Sequence, residues 1–183
     1  DLVREKDVVL QELAEAQDTP SDIIFDELWS AAFADQPLGR SVLGNDAGLE
    51  RISTADLHAW RTDQYRAGSL ILSAAGQVDH DALVALAEEK FADLPSGVAD
   101  RAAPASFTPL RRAGRAKADQ AQLTLGLAGP PIKATDYFAA RMFADIAGGG
   151  ASSRLFQAVR EERGLAYTVS ASLHPHEDVG LFY

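Results

Sequence analysis

The sequence predicts an α+β fold in which helices cover an antiparallel-rich sheet. Long stretches repeat apolar residues at helical spacing, and shorter stretches alternate or run apolar at strand length. The two kinds do not follow the strict β–α–β order that a parallel sheet requires. A stretch rich in proline, alanine and serine, residues 95–109, divides the chain. Residues 1–94 are therefore expected to be the C-terminal part of one domain, 95–109 a linker, and 110–183 the N-terminal part of a second.

Residues 1–17 read as a helix. Glu5 and Glu12, seven positions apart, differ by about 20° around its axis and share a face. They fall between Val8 on one side and Leu2, Val9, Leu13 and Ala16 on the other, opposite a polar arc of Arg4, Asp7, Gln11 and Glu15. A carboxylate in an apolar arc calls for a cation, a hydrogen bond or a metal, because an isolated buried charge is too costly. The residues alone leave two readings open. One is a metal ligand with a supporting carboxylate; the other is a pair of rim acids bridged to Lys or Arg.

A second helix is expected over 21–33, with Thr19 or Ser21 as cap and Pro20 at the turn. Turn residues fill 37–45. Thr54 is expected to cap a helix to Tyr65 that buries Leu57 and Trp60, and Trp29 likewise reads as core. The apolar run 69–75 reads as a central strand. Asp79 caps a helix through Phe91 that faces inward with Leu83, Leu86, Ala87 and Phe91. Beyond the linker, 122–128 alternates as a strand with Leu123, Leu125 and Leu127 on one side. A helix over 135–147 presents Phe138, Met142, Phe143 and Ile146, and Gly148-Gly149-Gly150 breaks it. Ser152 or Ser153 caps the next helix, through Arg163, with Gly164 fitting the position just past its end. Residues 167–173 and 179–183 read as strands.

Composition narrows the function. The chain has 183 residues, 46% hydrophobic and 24% charged, ordinary for a globular protein. A net charge of −10 argues against a nucleic-acid binder. Such acidity attracts cationic substrates in some proteins and serves only solubility in most. Without cysteine there is no disulfide framework and no thiolate chemistry, which suits a reducing compartment such as a cytoplasm, with a periplasm or an organelle matrix as alternatives. No apolar run approaches the roughly 18 residues of a membrane span, and no signal peptide is visible. The chain opens inside a helical pattern, closes inside a strand pattern, and carries its one methionine at Met142. The expectation is an internal fragment of a longer protein.

Several motifs carry chemistry. Backbone amides in Gly148-Gly149-Gly150-Ala151-Ser152-Ser153-Arg154-Leu155-Phe156 suit an anion at a helix start, or merely a flexible corner; the Lys-Ser/Thr ending of a P-loop is missing. Arg160 suits a carbonyl or carboxylate and Tyr167 an oxyanion. Alternatively Arg160 belongs to a solvated charged run, Arg160-Glu161-Glu162-Arg163, and Tyr167 to a half-buried strand. His174 and His176 flank Pro175 and point to one side of an extended strand, as a metal pair or a surface loop. His58 and His80 belong to no motif.

Taken together, Arg4-Glu5-Lys6-Asp7-Val8-Val9-Leu10-Gln11-Glu12, Asp18-Thr19-Pro20, Leu38-Gly39-Arg40-Ser41-Val42-Leu43-Gly44, the glycine–serine–arginine stretch and Val159-Arg160-Glu161-Glu162-Arg163-Gly164-Leu165-Ala166-Tyr167 resemble the pitrilysin-type (M16) zinc metallopeptidases. The resemblance is to bacterial relatives of the mitochondrial processing peptidase and spans essentially the whole chain. It implies the metallohydrolase fold of that peptidase and a zinc endopeptidase that cleaves peptides or presequences in an enclosed chamber between two halves. Zinc would be held by two histidines of a His-x-x-Glu-His helix and by Glu12, with Glu5 as a supporting carboxylate. Arg160, Tyr167, Gly149 and Gly150 would bind the substrate backbone, and a similar subunit would complete a homo- or hetero-dimer. The His-x-x-Glu-His segment is absent from this sequence. The resemblance therefore implies that the chain alone neither holds zinc tightly nor cuts peptides. The rival reading is a non-catalytic structural subunit of the same fold that pairs with an active peptidase; a third is an unrelated small-ligand module built on the glycine corner.

Overall fold

In the chain's computed structural model, helices α1 (Leu2–Gln17) and α2 (Pro20–Ala32) come first. The structure describes residues 2–114 and 119–183, so Asp1 of the expected first helix and 115–118 of the expected second domain lie outside the described residues. Thr19 precedes α2 and Pro20 opens it, which suits proline's fixed φ and missing N–H. The Thr19 side chain does not cap α2; its hydroxyl donates back to the Glu15 carbonyl at 2.9 Å. The described residues form two compact units, one of the residues up to Asp7 with Asp46–Ala102, another of Val8–Asn45 with Ala103–Tyr183.

The second unit holds the buried core. Leu28 and Ala32 on the inner face of α2, and Phe33 just past its end, meet Val179 and Leu181, with Trp29, Leu38, Ala105, Phe107 and Tyr183 packed against them. Phe33 and Leu181 are fully buried, and Trp29 stacks on Phe33 at 5.5 Å. Residues 105–108 are strapped to the end of α2. Gln36 exchanges two hydrogen bonds with the Ser106 backbone at 2.7 and 2.8 Å, and the Thr108 N–H donates to the Ala32 carbonyl at 2.8 Å.

Three short strands, β1 (Leu127–Gly129), β2 (Leu173–Pro175) and β3 (Gly180–Phe182), make an antiparallel sheet in the order β1-β3-β2. Phe182 stands opposite both Leu127 and Leu173. The hairpin of β2 and β3 is closed at its tip by the His176 N–H to the Val179 carbonyl at 2.7 Å, and Ser172 and Tyr183 exchange backbone bonds at its other end. β1 and β2 overlap the expected strands 122–128 and 167–173 only at their C-terminal ends and run on to Gly129 and Pro175, and 69–75 forms no strand. Alternation reports which side of an extended chain is apolar, whereas a ladder needs a partner, and no described segment pairs with these residues. Leu123, Leu125 and Leu127 do share one side, and that side is exposed.

Helix α6 (Tyr137–Gly148) packs on β2 by its smallest residues, Ala144 and Gly148. A Cβ on Gly148 would run into the Ala171 backbone nitrogen and stand 2.7 Å from the Ala171 Cβ. The contact is too close for large side chains. Phe138, Met142, Phe143 and Ile146, expected to face a core, are therefore exposed, with Phe143 tilted over Phe182 at 5.5 Å.

The first unit contains α3 (Asp46–Arg51), which the sequence reading did not include, α4 (Thr54–Gln64) and α5 (His80–Lys90). Ser53, not Thr54, caps α4 through a reciprocal box with Asp56, whose carboxyl is held below the usual range by the hydrogen bonds from Ser53. Asp79 caps α5 by accepting from the Ala82 N–H at 2.8 Å, as expected. Residues 67–69 are tied to 95–99 by the Ala67, Gly68 and Ala99 N–H groups, which donate to the Pro95 carbonyl, the Gly97 carbonyl and the Ser69 hydroxyl. Trp60, Leu57, Leu86 and Phe91 are exposed rather than core, because no described element of this unit covers their helix faces.

Candidate functional site

The residues expected to grip substrate sit on one irregular segment. Ser153, buried to 4% exposure, starts it: its hydroxyl accepts from the Phe156 N–H at 3.4 Å, and its own N–H donates to the Gly150 carbonyl at 3.0 Å. The helix then widens into a π-helical stretch, Phe156–Glu161, with the Glu162 N–H bonded five residues back to Gln157. Such widened turns concentrate at functional sites. The segment closes at Gly164, whose φ of +60° is the left-handed geometry that glycine adopts without strain. Its N–H donates to the Arg160 carbonyl at 3.0 Å.

This closure turns the chain back so that Tyr167 meets Arg160. The Arg160 Cζ lies 4.7 Å from the Tyr167 ring centroid and 4.7 Å from that of Phe156, both within cation–π range. The Glu161 carboxylate stands 3.6 Å from the Arg160 Nε. Among the described residues, neither the guanidinium nor the Tyr167 hydroxyl makes a hydrogen bond, and Tyr167 is 76% exposed. A planar fork of N–H donors held against two rings, beside a phenolic donor, is equipped to bind a carbonyl or carboxylate oxygen. Arg160 and Tyr167 were named from the sequence as a pair; Phe156 was not. Its spacing of four from Arg160 is the signal that could have found it.

Gly149 and Gly150 stand just before this segment. The Gly149 N–H closes α6 on the Asp145 carbonyl at 2.9 Å, and Gly150 lends its carbonyl to Ser153. The Gly149 amide is thus engaged within the fold.

Glu5 and Glu12 both lie on α1, and both are exposed. The arc around them is not buried: Leu13 is the buried residue of α1, while Val8 is 47% exposed. Water reaches both carboxylates, so the pairing demanded of a buried charge is not demanded here. Among the described residues, no three His, Cys, Asp or Glu side chains gather as a metal group. A catalytic zinc takes three protein ligands and an open position, so these residues do not by themselves compose its site.

His174 and His176 do face one neighbourhood, with ring centroids 6.2 and 5.4 Å from Trp29. His174 pairs its Nε2 with the Tyr183 hydroxyl at 3.0 Å. Partial burial, with His176 and Arg141 nearby, holds the His174 imidazole below its ordinary value. The pair is part of the aromatic packing around Trp29. No described helix is long and apolar enough to cross a membrane.

Comparison with known proteins bears on what this arrangement serves. The family model described as peptidase M16 inactive domain matches residues 51–183. A Rickettsia felis protein named an uncharacterized zinc protease is 37% identical over 183 residues, covering 100% of this chain and 44% of that protein. A Mycobacterium leprae protein of the same description is 35% identical over 186 residues, covering 98% of this chain and 42% of its own length. The solved peptidase M16 inactive domain from Pseudomonas fluorescens superposes with a TM-score of 0.78 at 25% identity, covering 99% of this chain and 45% of that one. The chain thus spans less than half the length of these relatives.

Proposed function

Because this chain belongs to the peptidase M16 family, we propose that it forms the substrate-gripping part of a zinc endopeptidase and lends one carboxylate to the metal. The α+β architecture is that of the family. The observation that carries the reading is Arg160 held against Tyr167 with the hydrogen-bonding capacity of both unspent. In a polypeptide of the relatives' length, Arg160 and Tyr167 would bind the backbone of a peptide or presequence in an enclosed chamber. Gly149 and Gly150 would shape the adjoining wall. Glu12 would be a zinc ligand and Glu5 its supporting carboxylate, the remaining ligands coming from outside this chain. Zinc would supply an activated water; the residues of this chain bind and orient. Residues up to 94 would end one peptidase domain and those from 110 begin the second, and a dimer with a similar subunit would complete the enclosure.

The test is peptide cleavage by that longer polypeptide. Arg160→Ala should raise KM about tenfold or more, the cost of a lost charge-assisted hydrogen bond, with zinc content unchanged. Loss of zinc instead would refute a substrate-binding role. A second reading, a non-catalytic subunit of the same fold, is favoured by the matching model being that of an inactive domain. It expects no turnover by the purified polypeptide alone, and turnover only with a partner.

A further inference from the structure

We infer that Phe156 is a positioning residue for Arg160: its ring, with that of Tyr167, fixes the guanidinium so that the N–H edge is set for substrate before substrate arrives. The inference rests on the substrate-gripping role proposed for Arg160 and adds to it the device that makes the grip rigid. Arginine is a long side chain with much rotamer freedom to lose on binding, and a donor already held in place loses less.

Four observations converge. The Arg160 Cζ is equally near both rings, at 4.7 Å. Phe156 is half-buried and lies outside the buried core cluster, so its ring is not filling the core. The backbone of Phe156 is fixed by its N–H bond to the buried Ser153 hydroxyl, which gives the ring a firm base. The Glu161 carboxylate stands near Nε, and among the described residues Nη1 and Nη2 carry no hydrogen bond. The rings supply attraction through their faces and take none of the N–H donors. A hydrogen-bonding partner in place of Phe156 would have consumed the donors that a peptide carbonyl needs.

The experiment uses the full-length polypeptide and two readouts. Phe156→Leu should raise KM for a peptide by roughly three- to tenfold, the range of a cation–π contact, with kcat, zinc content and melting temperature little changed. Phe156→Tyr should restore KM to within about twofold of the parent, since it keeps the π face. Phe156→Leu combined with Arg160→Ala should be no worse than Arg160→Ala alone, because one acts through the other. Losses that multiply would overturn the inference. The second readout needs no activity: crystal structures should show the guanidinium beside both rings in the parent and displaced in Phe156→Leu. A guanidinium unmoved in that variant overturns the inference. If Phe156→Leu does not fold, Phe156→Met serves in both measurements. If Arg160→Ala leaves kinetics untouched, the substrate-gripping reading fails by itself, and the crystallographic comparison still decides whether Phe156 positions Arg160.

Discussion

The Arg160 guanidinium donates no hydrogen bond among the described residues, yet it is not loose, because two rings and the Glu161 carboxylate hold it. Tyr167 adds a hydroxyl to the same patch. In the full-length polypeptide, Tyr167→Phe keeps the ring and should leave Arg160 in place. It should weaken peptide turnover less than Arg160→Ala, by about a neutral hydrogen bond, roughly five- to tenfold in kcat/KM. Unchanged kcat/KM in Tyr167→Phe would mean that the ring, not the hydroxyl, matters. His174 offers a pH test within the same unit. Its folded value is lowered by partial burial, then by His176 and Arg141, so the unfolded chain binds a proton first as pH falls. The stability tied to neutral His174 is complete above the ordinary imidazole value of about 6.5 and is lost as pH falls through the lower folded one. NMR titration should place the His174 midpoint below an unperturbed histidine, and His174→Gln should flatten part of the acid-side fall in melting temperature. A midpoint at the ordinary value would contradict the burial seen at Tyr183 and Trp29. Arg160 and Tyr167 were paired in the sequence only by the family resemblance, and the structure puts the two side chains in contact. Phe156 was not legible, since a phenylalanine at helical spacing reads equally as core.

Each element's ends were more legible than its environment. Asp79, Gly164 and the glycine break after α6 act at the positions their local chemistry suggested, because caps and left-handed turns depend on a few neighbouring residues. Asp79→Ala should destabilise α5 by about 1 kcal/mol. Gly164→Ala should cost about 1 kcal/mol through strain at a positive φ, and it should also weaken peptide binding by moving Tyr167 off Arg160. Denaturant unfolding and KM check both; a stability loss with unchanged KM would separate the turn from the site. The α4 cap was misassigned by one residue, since Ser53 and Thr54 are both competent and only the box with Asp56 selects between them. The face of α6 was misread for a different reason. Its large apolar residues form the strongest stripe, but close approach to β2 admits only Ala144 and Gly148. The strand patterns showed sidedness without showing which partners complete a ladder.

For the molecule as a whole, the family and its α+β architecture were legible because several spaced motifs occur in order. Burial was not, because it depends on elements distant in sequence. The apolar residues exposed on α4, α5, α6 and the strand around Leu125 share this origin: each has the pattern of a covered face, and no described element covers it. The same holds for α1, where Glu12 stands in water within an arc that the sequence reads as buried. We propose this carboxylate as a zinc ligand in a polypeptide of the relatives' length, which would supply the other ligands. The most direct measurement is zinc stoichiometry of the full-length polypeptide and its Glu12→Gln variant, purified side by side. A zinc-ligating Glu12 predicts about one zinc per subunit in the parent, and occupancy reduced by tens-fold or more, with turnover abolished, in the variant. Equal zinc and equal turnover in the two proteins would contradict it.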